Sequence, residues 1–238
     1  MNNVICIKWG TKYGPHYVNR LYGMVRRNLA SPFRFICLTD DTRGLASGIE
    51  TLPIPDVDIP QRHQVSPWRK LALFSRALGD LAGKALFLDL DIIVVGRLDD
   101  FFTYSDRFAI IENWSQRGQG IGNSSVYCFE IGKHADVLDY YLAHTDEVHA
   151  NYSNEQIYLS KKIGDIAFWP EAWCKSFKFH AIPRGLMRFM RPPALPQDCR
   201  ILVFHGHPNP DEAIVGDYRG KLRKYYKPAP WIADYWKE

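Results

Sequence analysis

The sequence has no apolar run long enough to span a bilayer, which takes about 20 predominantly apolar residues. The apolar stretch at residues 4–7 is too short for a signal peptide. The net charge is only +4, without the basic stripe of nucleic-acid-binding proteins. We therefore expect no membrane span and no nucleic-acid partner, and the sequence leaves peripheral contact with a membrane surface open.

Paired cysteines are also lacking. The five cysteines are scattered, their number is odd, and no C-x-x-C pair occurs. Cys6, Cys37 and Cys128 lie in apolar runs, where a free cysteine behaves as a small hydrophobic residue. These features predict a reduced, cytoplasmic protein and argue against a disulfide scaffold.

Linkers, repeats and the common phosphate-binding motifs are absent as well. A chain of 238 residues is long enough for one α/β domain with a substantial core, so we predict a single domain over residues 1–238. There is no Walker-type loop. The glycines at 118–122 lack the G-x-G-x-x-G spacing, and residues 116–125 are predicted to form a flexible loop.

Alternating strand and helix patterns fill the first part of the chain. Strands at 4–8, 33–38 and 85–88 are separated by helical patterns at 17–29 and 68–78, which predicts a mostly parallel sheet flanked by helices. Proline-rich residues 42–66 and residues 164–200 are predicted to be irregular. Further elements are predicted as strands at 108–111, 126–131 and 201–204, and as helices at 135–144 and 154–162.

The apolar strand at 85–88 runs directly into two carboxylates, Asp89 and Asp91, and a second apolar run follows. On an extended strand, side chains two residues apart point the same way, about 7 Å from each other. Two such carboxylates are costly near a buried strand end unless a cation or a proton compensates them. Mg²⁺ or Mn²⁺ suits these oxygen ligands, and Mg²⁺ commonly also binds substrate phosphates. The pattern predicts a metal–diphosphate site.

Two later segments carry further candidates. His205 follows the strand at 201–204, and an imidazole nitrogen is a good ligand for Mn²⁺-type ions; a hydrogen-bonded loop histidine is the alternative. Asn154, Glu155 and Gln156 open a helical pattern. Capping alone accounts for Asn154 and Glu155, while a carboxylate and an amide there could also orient a polyhydroxyl ligand.

Together these segments resemble a known family. Residues 87–102 are similar to the DxD segment of family 8 glycosyltransferases, which include glycogenin and bacterial lipooligosaccharide galactosyltransferases. Residues 122–126, 154–156 and 203–206 resemble that family's Asn-Ser-Gly, acidic-Gln and late His segments, in the same order. The chain looks most like a group of bacterial glycosyltransferase-like proteins that share the segments at 8–13, 68–71 and 204–210.

The resemblance implies a single-domain, Rossmann-like glycosyltransferase A-type fold, with the segment from about 205 to 238 packing over the site. It implies a hexosyltransferase of polysaccharide biosynthesis that moves a sugar from a nucleotide-diphosphate donor, most simply a UDP-sugar, to a glycan or lipid-linked acceptor, with retention. Mn²⁺ or Mg²⁺ would be held by Asp89, Asp91 and His205. The remaining implied residues are Asn123, Glu155 and Gln156 in catalysis, and Thr11, Lys12, Asp40, Arg69, Lys70 and Asp89 in donor binding.

The chain departs from the family pattern at three points, and two other functions remain open. The late His segment lacks the family's close Lys-Pro-Trp follow-on, although Lys227-Pro-Ala-Pro-Trp231 occurs later. Ser125 stands where the family has glycine, and Glu155–Gln156 carries one acidic residue where relatives have two. The first alternative is a non-catalytic nucleotide-sugar binding protein. The second is a phosphatase of the haloacid-dehalogenase type, in which Asp89 would be the nucleophile and Asp99–Asp100 the later acidic pair.

Overall fold

The computed structural model describes residues 1–63 and 66–238, and in them ten strands form two sheets. The larger sheet has the order β3-β2-β1-β4-β7-β6-β8, and the smaller has the order β5-β10-β9. In the larger sheet β7 runs antiparallel to its neighbours β4 and β6, and the other pairings are parallel. The strands are β1 (Asn2–Lys8), β2 (Phe33–Thr39), β3 (Glu50–Leu52), β4 (Lys84–Leu88), β5 (Ile92–Val94), β6 (Phe108–Glu112), β7 (Gly122–Glu130), β8 (Ile166–Phe168), β9 (Cys174–Ser176) and β10 (Ile201–Val203).

Helices cover both faces of the larger sheet, as the alternating pattern predicts. The α-helices are α1 (Pro15–Asn28), α2 (Asp99–Thr103), α3 (Ala135–Ala143), α4 (Thr145–Asn151), α5 (Glu155–Ile163), α6 (Met187–Met190), α7 (Pro210–Val215) and α8 (Ile232–Tyr235). Short 3₁₀ helices span Gln61–His63, Pro67–Phe74 and Leu222–Lys224, and a π-helix spans Phe177–Ala181.

The central strands are apolar because they are buried on both faces. Along β1, Val4 and Cys6 pack on the α1 side, and Ile5 and Ile7 pack on the side of the 3₁₀ helix at Pro67–Phe74. This alternation divides the interior into two hydrophobic layers, one on each face of the sheet. The mostly parallel, Rossmann-like α/β fold predicted from the sequence is confirmed.

Asp89 and Asp91 lie in a turn and not on an extended strand, so that part of the sequence prediction is wrong. The chain leaves the larger sheet at Leu88 and joins the smaller sheet at Ile92. Because β5 pairs with β10 in the second sheet, the backbone must change direction within three residues. The two carboxylates therefore occupy the point where the chain passes from one sheet to the other.

Several predicted loops are more regular than expected. β7 begins at Gly122, inside the predicted 116–125 loop, and it pairs with β6 across a bulge between Ile110 and Ile111. β3 is a short edge strand within 42–66, where residues 64 and 65 lie outside the described part of the chain. The helix predicted for 68–78 is a 3₁₀ helix that ends at Phe74. α4, β8 and β9 were not predicted, because each is short and lacks a complete apolar period.

The C-terminal segment packs along α1. Tyr226, Ile232 and Trp236 are buried in the hydrophobic layer on the α1 side, and Arg27 donates to the backbone carbonyls of Tyr235, Lys237 and Glu238. The sequence predicted that the segment from about 205 to 238 packs over the site. His205 and Gly206 of that segment line the main cleft, whereas Tyr226, Ile232 and Trp236 pack on the α1 side.

No helix within the described residues has the length and apolar character needed to cross a membrane. All five cysteines are free and buried, as small hydrophobic residues would be.

Candidate active site

A cleft of about 520 Å³ lies at the carboxyl ends of β1 and β4. This edge is where ligands bind in open α/β sheets. The antiparallel strand β7 begins at the same edge, and so do the N-terminus of α5 and the segment after β10. The cleft is lined by 9–13 after β1, by Pro67 and Lys70, by 89–91 after β4, by 123–125 at the start of β7, by 154–156 at the start of α5, by 204–206 after β10, and by Ile7.

The loop after β1 is held in place by a carboxylate. Gly10 adopts φ +57°, a backbone conformation that favours glycine, and its N–H donates to Asp40 Oδ2 at 2.9 Å. Asp40 follows β2, the neighbour of β1 in the sheet. Asp40 itself does not line the cleft, so it supports the loop that carries Thr11 and Lys12 into the cleft wall.

On one side of the cleft, the negative charge is compensated by a buried lysine. Lys70 Nζ lies 2.7 Å from Asp89 Oδ2 and donates to the carbonyl of Ser124 at 3.1 Å. Burial lowers the pKa of Lys70, but the charges of Asp89 and Glu155 outweigh this effect and raise it. Lys70 is therefore protonated, and its charge compensates the carboxylate of Asp89.

The same lysine connects to the start of α5 through a serine. Lys70 Nζ lies 3.4 Å from Ser124 Oγ, and this hydroxyl donates to Glu155 Oε1 in a short hydrogen bond. Glu155 is only 3% exposed, and its carboxylate is consequently fixed within the network. Asn154 caps α5 by accepting a hydrogen bond from Ile157 N at 3.0 Å, as the sequence predicted.

On the other side of the cleft, Asp91 is buried without a hydrogen-bonded cation among the described residues. Its Oδ2 accepts a hydrogen bond from Tyr13 Oη at 2.8 Å. Burial and the nearby charge of Asp89 raise the pKa of Asp91 to about 7, although Tyr13, Lys70 and Lys12 oppose this shift. The same surroundings raise the pKa of the Tyr13 phenol far above its usual value, through burial first and Asp91 second.

His205 closes this side of the cleft as a neutral imidazole. Its Nε2 lies 2.7 Å from Ser176 Oγ, and its ring stacks on Trp114 with centroids 5.6 Å apart. Burial and the charge of Lys178 lower the pKa of His205 to about 4. A neutral imidazole can act as a metal ligand or as a hydrogen-bond partner.

The predicted metal ligands match a hard divalent ion in chemistry but are not gathered into a ready-made cluster. Asp89 and Asp91 supply carboxylate oxygens and His205 supplies a neutral nitrogen, and all three line the cleft. Asp89 is paired with Lys70, and His205 is bonded to Ser176. Among the described residues no group of three or more His, Cys, Asp or Glu side chains stands ready to hold a metal ion. Asp91, buried and without a cationic partner, is the best-placed donor.

Most of the predicted site residues meet in the cleft, although their roles remain predictions. Asp40 and Arg69 are not in the cleft wall. Sequence reasoning missed Tyr13, which donates a hydrogen bond to Asp91, and Ser124, which donates one to Glu155. Tyr13 directly follows the predicted residues Thr11 and Lys12, and Ser124 directly follows the predicted Asn123. This proximity in sequence is the only signal that could have identified them. The predicted residues that line the cleft are Thr11, Lys12, Lys70, Asp89, Asp91, Asn123, Glu155, Gln156 and His205.

The sheet order, the second small sheet and the cleft at the carboxyl edge define the glycosyltransferase A-type fold, as the sequence predicted. Solved structures with this fold match over most of the chain. One is an active-site Gln-to-Glu variant of LgtC, at TM-score 0.61 and 14% identity, covering 87% of this chain and 89% of that one. Another is the galactosyltransferase LgtC in complex with donor and acceptor sugar analogues, at TM-score 0.59 and 16% identity, covering 87% and 88%.

No protein-family model matches the chain, and no curated protein matches it in sequence. At such low identity the structural likeness establishes the fold alone.

Proposed function

We propose that the protein is a glycosyltransferase that moves a sugar from a nucleotide-diphosphate donor, with UDP as its nucleotide, to a hydroxyl of a glycan or lipid-linked sugar, with retention of configuration. The observation that carries the proposal is the cleft. On a glycosyltransferase A-type fold, it gathers three separate segments, which carry Asp89 and Asp91, Gln156, and His205, at the edge where such sheets bind ligands. A solved structure with this fold contains donor and acceptor sugar analogues.

The proposed cofactor is Mn²⁺ or Mg²⁺, held by Asp91 together with Asp89 and His205. When bound, such an ion would act as a Lewis acid that stabilises the departing nucleoside diphosphate. The buried Asp91 supports this assignment, because burial and the charge of Asp89 raise its pKa to about 7 although Lys70 and Lys12 oppose the shift, so these cations do not fully compensate its charge. Lys12, which also lines the cleft, adds a cation that suits a phosphate group.

The donor sugar and the acceptor are assigned to the wall formed by Asn123, Glu155 and Gln156. Glu155 is buried and bonded to Ser124, so we assign it to fixing Ser124 and Lys70 and not to attacking the sugar. Gln156 is half-buried and lines the cleft, where its amide can bond to sugar hydroxyls. LgtC also has a glutamine in its active site, since the solved variant changes one there.

The test is donor hydrolysis and transfer. The protein is incubated with UDP-, GDP-, CDP-, TDP- and ADP-hexoses, with and without Mn²⁺, and released nucleoside diphosphate is measured. We expect release from the UDP-sugars, only with Mn²⁺, and none from the Asp91→Ala variant. The matched control is Asp211→Ala, which removes another aspartate that accepts a tyrosine hydroxyl, from Tyr17, outside the cleft.

Two results would contradict the proposal. Binding of a nucleotide-sugar without any release or transfer would favour a non-catalytic binding protein. Release of phosphate from p-nitrophenyl phosphate, abolished by Asp89→Asn, would favour the phosphatase alternative.

A further inference from the structure

A second surface, beside the cleft, exposes large apolar side chains among cations. Leu186 is 80% exposed, Met190 is 68% exposed and Leu222 is 68% exposed. They belong to two segments, residues 183–193 and residues 218–227. We call these segments together the basic–apolar face. Its exposed cations are Arg184, Arg191, Lys221 and Lys224.

The two segments are joined into one face. The ring of Phe189 stacks on that of Tyr225, with centroids 5.1 Å apart and an interplanar angle of 17°. Trp231 Nε1 donates to the carbonyl of Pro193 at 2.9 Å and anchors the first segment on the C-terminal part of the chain. The exposed leucines and methionine therefore project from a backbone that is fixed on its inner side.

The face has positive charge that is not neutralised locally. Residues 183–193 and 218–227 contain no aspartate or glutamate. Within the described part of the chain, Arg184, Arg191, Lys221 and Lys224 form no salt bridge, in contrast to Arg219, which pairs with Glu212. Protruding apolar side chains among solvated cations are complementary to a surface that is anionic outside and apolar inside.

The face adjoins the cleft at His205. Lys178 Nζ donates to the carbonyl of His205, and the ring of Phe179, itself 45% exposed, lies 5.5 Å from the His205 ring. Lys178 and Phe179 belong to the π-helix Phe177–Ala181, which leads directly into the first segment, and the Phe189–Tyr225 stack joins the second segment to the first. A surface held against the basic–apolar face would therefore lie beside the opening of the cleft.

We propose that the basic–apolar face docks the protein onto an anionic lipid bilayer. Met190 and Leu222 stand on single helical turns, at Met187–Met190 and Leu222–Lys224, and Leu186 immediately precedes the first of these turns. Side chains that protrude separately in this way can each insert into a fluid interface. The flanking arginines and lysines reach the lipid phosphates with their apolar stems in the interface. Docking of this kind presents the cleft to acceptors carried in the membrane, a consequence that rests on the proposed function. The docking itself does not depend on the proposed function.

The test is co-sedimentation with vesicles in the absence of nucleotide. We expect the protein to bind mixed phosphatidylglycerol–phosphatidylcholine vesicles and not pure phosphatidylcholine vesicles. Raising the salt from about 0.1 M to about 0.5 M should weaken binding by about tenfold or more, because the lipid charges are screened.

A matched pair of variants locates the surface. Leu186→Glu/Arg191→Glu removes one exposed apolar residue and one cation from the face, and should reduce vesicle binding by about tenfold or more. Leu142→Glu/Lys161→Glu makes the same changes on α3 and α5, and should bind vesicles as the unchanged protein does. Both variants should keep their thermal stability and their response to UDP with Mn²⁺.

Three outcomes would overturn the proposal. They are no binding to the mixed vesicles, equal losses in the two variants, or an absence of vesicle binding together with a dimer that only the Leu186→Glu/Arg191→Glu variant loses. The last outcome, measured by light scattering, would assign the face to a second copy of the chain. Because vesicle binding is measured without donor, these failures are distinct from a failure of the nucleotide-sugar assignment.

Discussion

Asp89 and Asp91 lie two residues apart in one turn, yet the two sides of the cleft compensate their charges differently. Asp89 faces a buried cation, Lys70, in a network that also fixes Ser124 and Glu155. Asp91 faces a phenol, Tyr13, and its pKa is raised to about 7 by burial and by Asp89. On the first side Lys70 already compensates the charge of Asp89, whereas on the second side an added cation would compensate the charge of Asp91. We therefore assign Asp89 mainly to architecture and Asp91 mainly to binding.

The largest expected effect is a loss of stability on the Asp89 side of the cleft, where Lys70 compensates the charge. Lys70→Met leaves the buried Glu155 and the half-buried Asp89 without their cation, and should lower the free energy of unfolding by about 3–5 kcal/mol. Chemical denaturation measures this loss. Arg76→Met, which removes an exposed partner of Asp139, is the control and should cost about 1 kcal/mol or less. Equal losses in the two variants would show that the Lys70 network does not stabilise the cleft.

The next effect separates the two aspartates. Asp91→Ala should abolish Mn²⁺-dependent UDP binding and change the free energy of unfolding by about 1 kcal/mol or less, since no ion pair is broken. Asp89→Ala should cost about 2 kcal/mol or more, because Lys70 loses its closest partner. Calorimetric titration and denaturation measure both quantities. An unchanged dissociation constant for Asp91→Ala would refute the metal assignment.

A smaller effect on UDP binding is expected at His205, the uncharged member of the proposed metal ligands. His205→Ala should weaken Mn²⁺-dependent UDP binding by about tenfold, or about 1.4 kcal/mol, which is less than the loss expected for Asp91→Ala. The reason is that His205 is uncharged, its pKa being lowered to about 4. Titrating Mn²⁺ at fixed UDP gives the value. A loss as large as that of Asp91→Ala would mean that His205 has a further role in the cleft.

The smallest effect concerns Tyr13. Tyr13→Phe removes the hydrogen bond to Asp91, and Tyr17→Phe removes a similar bond to Asp211 outside the cleft. Each change should cost about 1 kcal/mol of unfolding free energy. Only Tyr13→Phe should also alter the affinity for UDP with Mn²⁺. If both variants bind UDP equally well, the hydrogen bond from Tyr13 does not position Asp91 for binding.

The sequence predicted the sheet well and the charge compensation poorly. β1, β2 and β4 are apolar runs that local periodicity reveals, and residues at the carboxyl ends of such strands necessarily share an edge. The partner of Asp89 stands 19 residues away in sequence and the partner of Asp91 stands 78 residues away, so no local pattern links them. The sequence therefore predicted two equivalent metal ligands, while tertiary packing makes the two carboxylates unequal.

Local propensity also failed where tertiary pairing dominates. Gly122–Ser125 has a loop composition but forms the first part of β7, because β6 pairs with it at Gly122 and Asn123. The turn at Asp89–Asp91 is likewise imposed by the pairing of β5 with β10, more than 100 residues later in the chain. Both errors fall at the cleft, where segments from different parts of the chain meet.

Thermal stability against UDP, GDP, CDP, TDP and ADP, each with and without Mn²⁺, tests the central claim most directly, with the Asp91→Ala variant run in parallel. The account predicts that UDP raises the melting temperature of the unchanged protein only when Mn²⁺ is present, by mass action on the folded state, and that Asp91→Ala shows no shift. The absence of a shift with every nucleotide, or an equal shift in Asp91→Ala, would contradict a cation-dependent nucleotide-diphosphate site in this cleft.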